Sequence, residues 1–357
     1  MHFRKPLRWW LGHTGSLLAT TLLASTSAIA GEHDRSVLVM TTTNDTSRND
    51  LVVFKLDRTG TPSLSLEATL PTGGAGGASG NAGILQFKDD FGAVANYGSN
   101  TVTPLARHDD FITVYGNLKL ASGCVQPDSV ALSHEHVFVV GANCAASYRW
   151  PSGNTDGVVK LTDPSAGQIA VGRTWAAVTL KSGSVLQLPL TPGGALSGVS
   201  TPVALPDTAN NTPLGAEFWG DVLGFTPAHS ADSFAIVNRD RDVFPIAGPT
   251  PPFPTNAPCW VAKGPGNAWY MGNSPGQALS IFFSDAQGGM LYKSVSLPGV
   301  PTDITVSPDK RLLAVIYTAS NSGYVAVFSI DGYGDLTPVA TSSPIGVSTF
   351  NGVAISE

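Results

Sequence analysis

Glu217, Arg239 and Arg241 are the residues of this sequence best suited to act together on a small ligand. A carboxylate can serve as general acid or base, and a guanidinium can grip a carboxylate or phosphate. The run Arg239-Asp240-Arg241-Asp242 also has the alternating signs of an ordinary solvated turn. A second polar set comprises Asn81, Asp128, Asp303 and Asn351, which recur at one position of a repeated pattern. Oxygens converging from such positions can meet a substrate or hold a hard cation. They can equally be Asx caps that satisfy the backbone as it enters a strand. No His-x-x-x-His pair or other metal-ligand spacing occurs, so neither a metal nor another cofactor is expected.

Three cysteines add a constraint. Cys124 and Cys144 are equidistant from His134, the centre of a predicted hairpin. Antiparallel pairing then sets them opposite each other, within reach of a disulfide. Cys259 is left unpaired beside Trp260, with no neighbouring base or cation to activate it, and reads as a buried apolar residue.

These residues are carried by a repeat. Gln126-Pro127-Asp128-Ser129-Val130-Ala131-Leu132, Pro301-Thr302-Asp303-Ile304-Thr305-Val306 and Phe350-Asn351-Gly352-Val353-Ala354-Ile355 share one apolar strand pattern. Units fall near 36–74, 83–123, 124–167, 168–206, 216–256, 257–299 and 300–349. A spacing of roughly 40 to 50 residues is that of four-stranded propeller blades, which must stack around an axis to bury both faces. In the last unit, Asp303–Ser307, Leu312–Thr318, Tyr324–Ile330 and Leu336–Ala340 are predicted as strands a to d, inner to outer. The first unit opens directly on a strand b at Ser36–Met40, and the final copy of the pattern stops at Glu357. The expectation is an all-β, seven-bladed propeller in which the C-terminal strand supplies the inner strand of blade 1. The fifth blade is the weakest, because Pro249 to Pro258 holds five prolines where an outer strand is needed.

The phase of the repeat sorts the side chains. Loops joining strand d to the next a, and b to c, share one face; turns joining a to b, and c to d, share the other. On this assignment Asn81, Asp128, Asp303 and Asn351 open strands a, Glu217 enters the fifth blade, and Arg239 and Arg241 lie in its b–c turn, all on one face. His134, His136, His229 and His108 fall on the opposite face as solvated turn residues, and His33 lies in the N-terminal tail. Asn96, Asn143, Asn238 and Asn273 recur at strand-b ends as turn devices.

Residues 1–30 stand apart. A basic front of Arg4, Lys5 and Arg8, an apolar stretch from Leu11 to Leu23 and Ala28-Ile29-Ala30 make up a secretion signal, with 31–357 as the propeller. An uncleaved anchor is the alternative; no later apolar run is long enough to span a bilayer. Cleavage lowers Lys+Arg from 20 to 17 against 26 Asp+Glu, so the net charge moves from -6 to -9. An acidic surface without a basic cluster argues against nucleic acid and anionic membrane as partners. The abundance of Gly (39) and Pro (26) suits a turn-rich β chain. A periplasmic or extracellular monomer meeting a small molecule or glycan is the expectation.

Several stretches resemble the lactonase-like seven-bladed propellers, the group of 6-phosphogluconolactonase-like and carboxymuconate-cyclase-like proteins. They are Thr43-Asn44-Asp45, Pro71-Thr72-Gly73-Gly74, Gly80-Asn81-Ala82-Gly83, Asn96-Tyr97-Gly98-Ser99-Asn100-Thr101-Val102, Ala257-Pro258-Cys259-Trp260 and Pro301-Thr302-Asp303. The resemblance implies a lactone hydrolase or muconate-type cycloisomerase, with Glu217 as the acid/base and Arg239 or Arg241 holding an anionic substrate. The chain departs from the family pattern in two places. It has no Pro-Arg-His element, and Val178-Thr179-Leu180-Lys181 stands where an acidic strand-b end is found in the family. Those departures support the rival expectation, a non-catalytic propeller that binds a small molecule, glycan or protein.

Overall fold

The computed structural model describes residues 36–357 except 208, 230–233, 247–256, 286–287 and 347–348. The signal segment proposed for residues 1–30 lies outside the described residues. Within them the chain forms seven antiparallel sheets, six of four strands and one of five. The inner strands are Asn351–Ser356 for blade 1, then Leu85–Lys88, Pro127–Leu132, Ala166–Val171, Pro213–Trp219, Pro258–Lys263 and Val300–Val306. The seven-bladed ring is closed as the repeat predicts. Strand Val37–Thr42 pairs antiparallel with Asn351–Ser356, in a register that sets Leu38 against Ser356 and Thr41 against Val353. Thr41 and Thr42 hydroxyls reinforce the seam by donating to the carbonyls of Gly352 (2.8 Å) and Asn351 (2.7 Å).

The core lies between blades rather than within them. Val39 and Phe54 of blade 1 pack with Leu312, Ile316 and Val327 of blade 7 and with Ile355 of the closing strand. Equivalent clusters join the other neighbours, for example Phe138 with Ile169 and Val178, and Phe234 with Trp269. A strand b covered on both faces must be apolar or have its hydroxyls hydrogen-bonded, which is why Val37–Thr42 and Trp175–Leu180 are buried throughout, with Thr41, Thr42 and Thr179 each donating to a backbone carbonyl. The outer strands face solvent on one side, and Ser63–Gly74 is accordingly mostly exposed.

Blade 5 differs from the expected phase by one strand. Its strands are Pro213–Trp219, Val222–Pro227, Phe234–Val237 and Val243–Ile246. An outer strand does form, upstream of the proline-rich stretch; residues 249–256 lie outside the described residues, and Pro258 opens the inner strand of blade 6. The inner strand of blade 5 is hard to see in sequence because it begins Pro-Leu-Gly-Ala, residues of low strand preference. Gly215 is there for space: a Cβ would come within 2.6 Å of the Cys259 carbonyl oxygen on the neighbouring blade.

Candidate functional site

A blind cavity of about 400 Å³ runs along the axis, walled by the C-terminal halves of the inner strands. It reaches the a–b turns at Asp89 and at Pro308–Lys310, all of which retain solvent exposure. The opposite end is stoppered. The segment leading from blade 1 to blade 2 crosses the channel, and its residues 80–83 bond to blades 1, 3, 4 and 6 and, through the Gly83 N–H and the Asp303 carboxyl, to blade 7. The Lys181 ammonium and the Trp260 indole N–H donate to the carbonyls of Gly80 (3.0 Å) and Asn81 (3.3 Å). The Ala82 N–H donates to the Gly167 carbonyl (3.1 Å) and the Val130 N–H to the Gly83 carbonyl (2.8 Å). The Asn351 amide donates to Asn81 Oδ1 (3.2 Å), and Asn81 donates in turn to the Asp128 carbonyl. Gly83 has φ +70°, and a Cβ there would sit 2.9 Å from Ser129 Oγ and 3.0 Å from Gln168 Nε2.

This stopper sorts the expected polar ring. Asn81, Asp128 and Asn351 are buried in the crossing, with both amides spent on hydrogen bonds inside it. Asp128 is pushed up to about 6 by burial, against the pull of Lys181. Asp303 alone of the four lines the cavity, at its floor. It accepts from its own neighbour's N–H, Ile304 (2.8 Å), yet burial pushes its carboxyl up to about 7. Its nearest donors also include the backbone N–H groups of Val353 and Gly83. Among the described residues, no group of three or more His, Cys, Asp or Glu side chains is placed to hold a metal ion.

Glu217 does not enter blade 5 from a loop. It is the fifth residue of the inner strand and points into the cavity. Its carboxylate makes no hydrogen bond among the described residues. Burial in the wall raises its pKa, while Lys310, Lys263 and Lys88, in that order, pull the other way. All three lysines line the same cavity. Sequence reasoning missed them because each lies at or just beyond the end of a different inner strand, where a lysine reads as a solvated turn.

The lysines are not equivalent. Lys263 is buried, its ammonium donating to the carbonyls of Gly264 (2.9 Å), Gly266 (2.6 Å) and Ala268 (3.2 Å). It lies 5.2 Å and 5.3 Å from the ring centroids of Trp219 and Trp269. Burial, then Lys310, pushes it down to about 8, with Glu217 opposing. All three of its protons are committed, so it contributes field rather than a free donor. Lys310 donates to the Lys263 carbonyl (3.0 Å), which leaves it further N–H groups for a ligand, and Lys88 is exposed at the mouth.

Arg239 and Arg241 are displaced by the phase of blade 5. They lie in the turn between its third and fourth strands, a c–d turn rather than the b–c turn expected. Both are exposed and neither lines the cavity. The same shift puts Asn238 at the end of a strand c, and places His229 in the b–c connection, where its Nδ1 pairs with the Thr212 hydroxyl (2.9 Å). His136 is also corrected. It is almost fully buried, with Nε2 2.7 Å from Asp156 Oδ2, while the Ser147 hydroxyl donates to the other carboxylate oxygen (2.7 Å). The aspartate stands between the histidine and the serine, so this is a clamp across strands b, c and d of blade 3 and not a nucleophile–base pair.

The Cys124–Cys144 bridge is present, with a Cα–Cα distance of 5.6 Å. A register shift produces it. Ser129 faces Val140, which if continued would set Cys124 against Ala145; the irregularity at Gly141–Pro127 moves the pairing by one and brings Cys144 opposite. Cys259 is free, packs against the core between blades 6 and 7, and has its thiol pushed up to about 11 by burial.

With this geometry in place, comparison with solved structures defines the class of fold. Three solved structures cover nine tenths or more of this chain and nearly all of their own length. A periplasmic gluconolactonase of Pseudomonas aeruginosa aligns at 15% identity and TM-score 0.64, over 90% of this chain and 98% of its own. A candidate 6-phosphogluconolactonase of Bacteroides fragilis aligns at 13% and 0.63, over 91% and 99%. A protein from Lactobacillus plantarum aligns at 14% and 0.68, over 90% and 99%. The chain is thus a seven-bladed propeller of lactonase-like architecture. No protein-family model matches this sequence, and no curated protein matches it significantly.

Proposed function

We propose that this is an exported, lactonase-like propeller whose axial cavity takes a small sugar lactone or the matching acid, with Glu217 as general base. One observation carries the reading: an unpaired glutamate with a raised pKa faces a cavity ringed by Lys88, Lys263 and Lys310. A carboxylate whose pKa is raised above its ordinary value is the stronger proton acceptor in its ionised form. Glu217 takes a proton from water as the water oxygen bonds to the lactone carbonyl carbon. The carbonyl oxygen becomes an oxyanion in the field of Lys310 and Lys88, the role of preorganised positive charge in acyl transfer. The ring C–O bond then breaks, the leaving alkoxide takes the proton from Glu217, and the product is a hydroxy acid. The lysines thereby assume the anion-holding role that the sequence suggested for Arg239 and Arg241.

Export is supported by the disulfide, which persists in oxidising compartments. The name of the periplasmic neighbour points the same way. The test is a panel of aldonolactones and muconate-type lactones, followed by acid release. Wild type should turn over at least one of them, and Glu217→Gln should lose about 100-fold or more in kcat. Turnover that survives the substitution removes Glu217 from the reaction. Gluconate binding without turnover of any lactone favours the rival reading, a sugar-acid-binding propeller, which the committed protons of Lys263 also suit.

A further inference from the structure

A second cavity of about 300 Å³ lies beside the first, between the a–b turns of blades 2 and 3, and the two share Lys88 and Asp89 as a common wall. Its far side is aromatic. Phe91 and Trp150, both on the lining, stack with ring centroids 4.1 Å apart and planes at 26°, and Tyr115, off the lining, braces Trp150 edge-on at 5.6 Å. Its rim is polar: Ser133 and His134 line it, with His134 Nδ1 3.4 Å from Asp89 Oδ2. The His134 side chain is 80% exposed, and Phe91 and Trp150 are half-buried.

From this juxtaposition we infer that the groove is a subsite for a neutral sugar ring, so that the ligand is a glycosylated sugar acid or its lactone. The inference rests on the axial cavity taking the acid end, as proposed above. The aromatic wall suits the C–H face of a pyranose, whose polarised hydrogens meet the negative face of a π system. Asp89, Ser133 and His134 on the same lining offer acceptors and donors for its hydroxyls. Asp89 and Asp90 outnumber Lys88 on the lining, which disfavours a second anionic ring such as that of a polyuronate. The lysine-ringed cavity takes the charge, and the carboxylate-rimmed groove takes the uncharged unit.

Gluconate and lactobionate, which is gluconate carrying a neutral galactosyl unit, separate the two sites by titration calorimetry. Wild type should bind lactobionate about tenfold tighter than gluconate, the scale of one aromatic contact plus one hydrogen bond. Trp150→Ala should bring that ratio close to one and leave the gluconate Kd unchanged. His134→Ala, a change at an exposed rim position, should reduce the ratio by a few-fold and stands in if the tryptophan variant does not fold. Equal Kd values for the two ligands in wild type would overturn the groove assignment and leave the cavity reading in place. Binding of neither ligand would overturn the cavity reading, and the groove assignment with it.

Discussion

The indole N–H of Trp260 donates to the carbonyl of Asn81 across 3.3 Å, tying the inner strand of blade 6 to a segment that belongs between blades 1 and 2. That bond spans the axis. It belongs to the network that stoppers one end of the channel and so decides from which face a ligand can arrive. The stoppered end is the one where the repeat placed the polar ring, and the open end is the one where it placed His134.

Gly83 should be the least tolerant position of the stopper. Its positive φ and the 2.9 Å approach of Ser129 Oγ leave no room for a side chain. Gly83→Ala is expected to cost about 1–3 kcal/mol, from strain and overpacking together. Urea denaturation measures it, and a midpoint equal to wild type would show that the crossing yields freely.

Removing residues 350–357 should destabilise the whole ring. The deletion takes away Phe350, Val353 and Ile355, all buried, and bares the edge of strand Val37–Thr42. At about 1.5–3 kcal/mol for each large apolar side chain, the melting temperature should fall by roughly 10 °C or more. A truncated chain that melts with the full-length one would refute closure by this strand.

Asp303 makes stability depend on pH with a defined sign. Its carboxyl sits at about 7 in the fold, above the ordinary value of 3.8, so the folded state holds the proton where the unfolded chain has lost it. The stabilisation is complete below the unfolded value and is lost as pH rises toward 7, on the order of 1 kcal/mol per pH unit. Asp128, at about 6, acts in the same direction over a narrower window. Thermal scans from pH 4 to 8 should show wild type losing stability relative to Asp303→Asn as the pH rises. Parallel curves would show that Asp303 titrates alike in both states.

Asp156 should be needed for folding stability and, on the proposed lactonase reading, not for turnover. Asp156→Ala leaves the buried His136 and the Ser147 hydroxyl without their shared acceptor. A loss of about 2–4 kcal/mol is expected, with lactone turnover of the folded fraction unchanged. A stable variant with impaired turnover would instead give the clamp a catalytic role.

Replacing Cys124 and Cys144 by alanine should cost roughly 3 kcal/mol for a cross-link of this span in the chain-entropy model. Differential scanning calorimetry of the variant against oxidised wild type checks it, and an unchanged Tm would make the bridge incidental to stability.

The architecture is legible in the amino-acid order. Apolar strand copies at a regular interval, a first unit lacking its inner strand and a last copy at the C-terminus together specify a closed ring. The spacing of Cys124 and Cys144 specified the bridge, although a one-residue register shift was needed to align them. These features were legible because they depend on periodicity and on short sequence separations. Blade 5 was not, since Pro213-Leu214-Gly215-Ala216 hides an inner strand behind weak strand formers, and the error carried Glu217, Arg239, Arg241 and His229 with it. The site itself was decided only in three dimensions. Lys88, Glu217, Lys263 and Lys310 come from four different blades, and ring closure is what turns them toward one axis. The stopper likewise draws bonds from blades far apart in sequence, and no local pattern encodes a contact between Asn81 and Trp260.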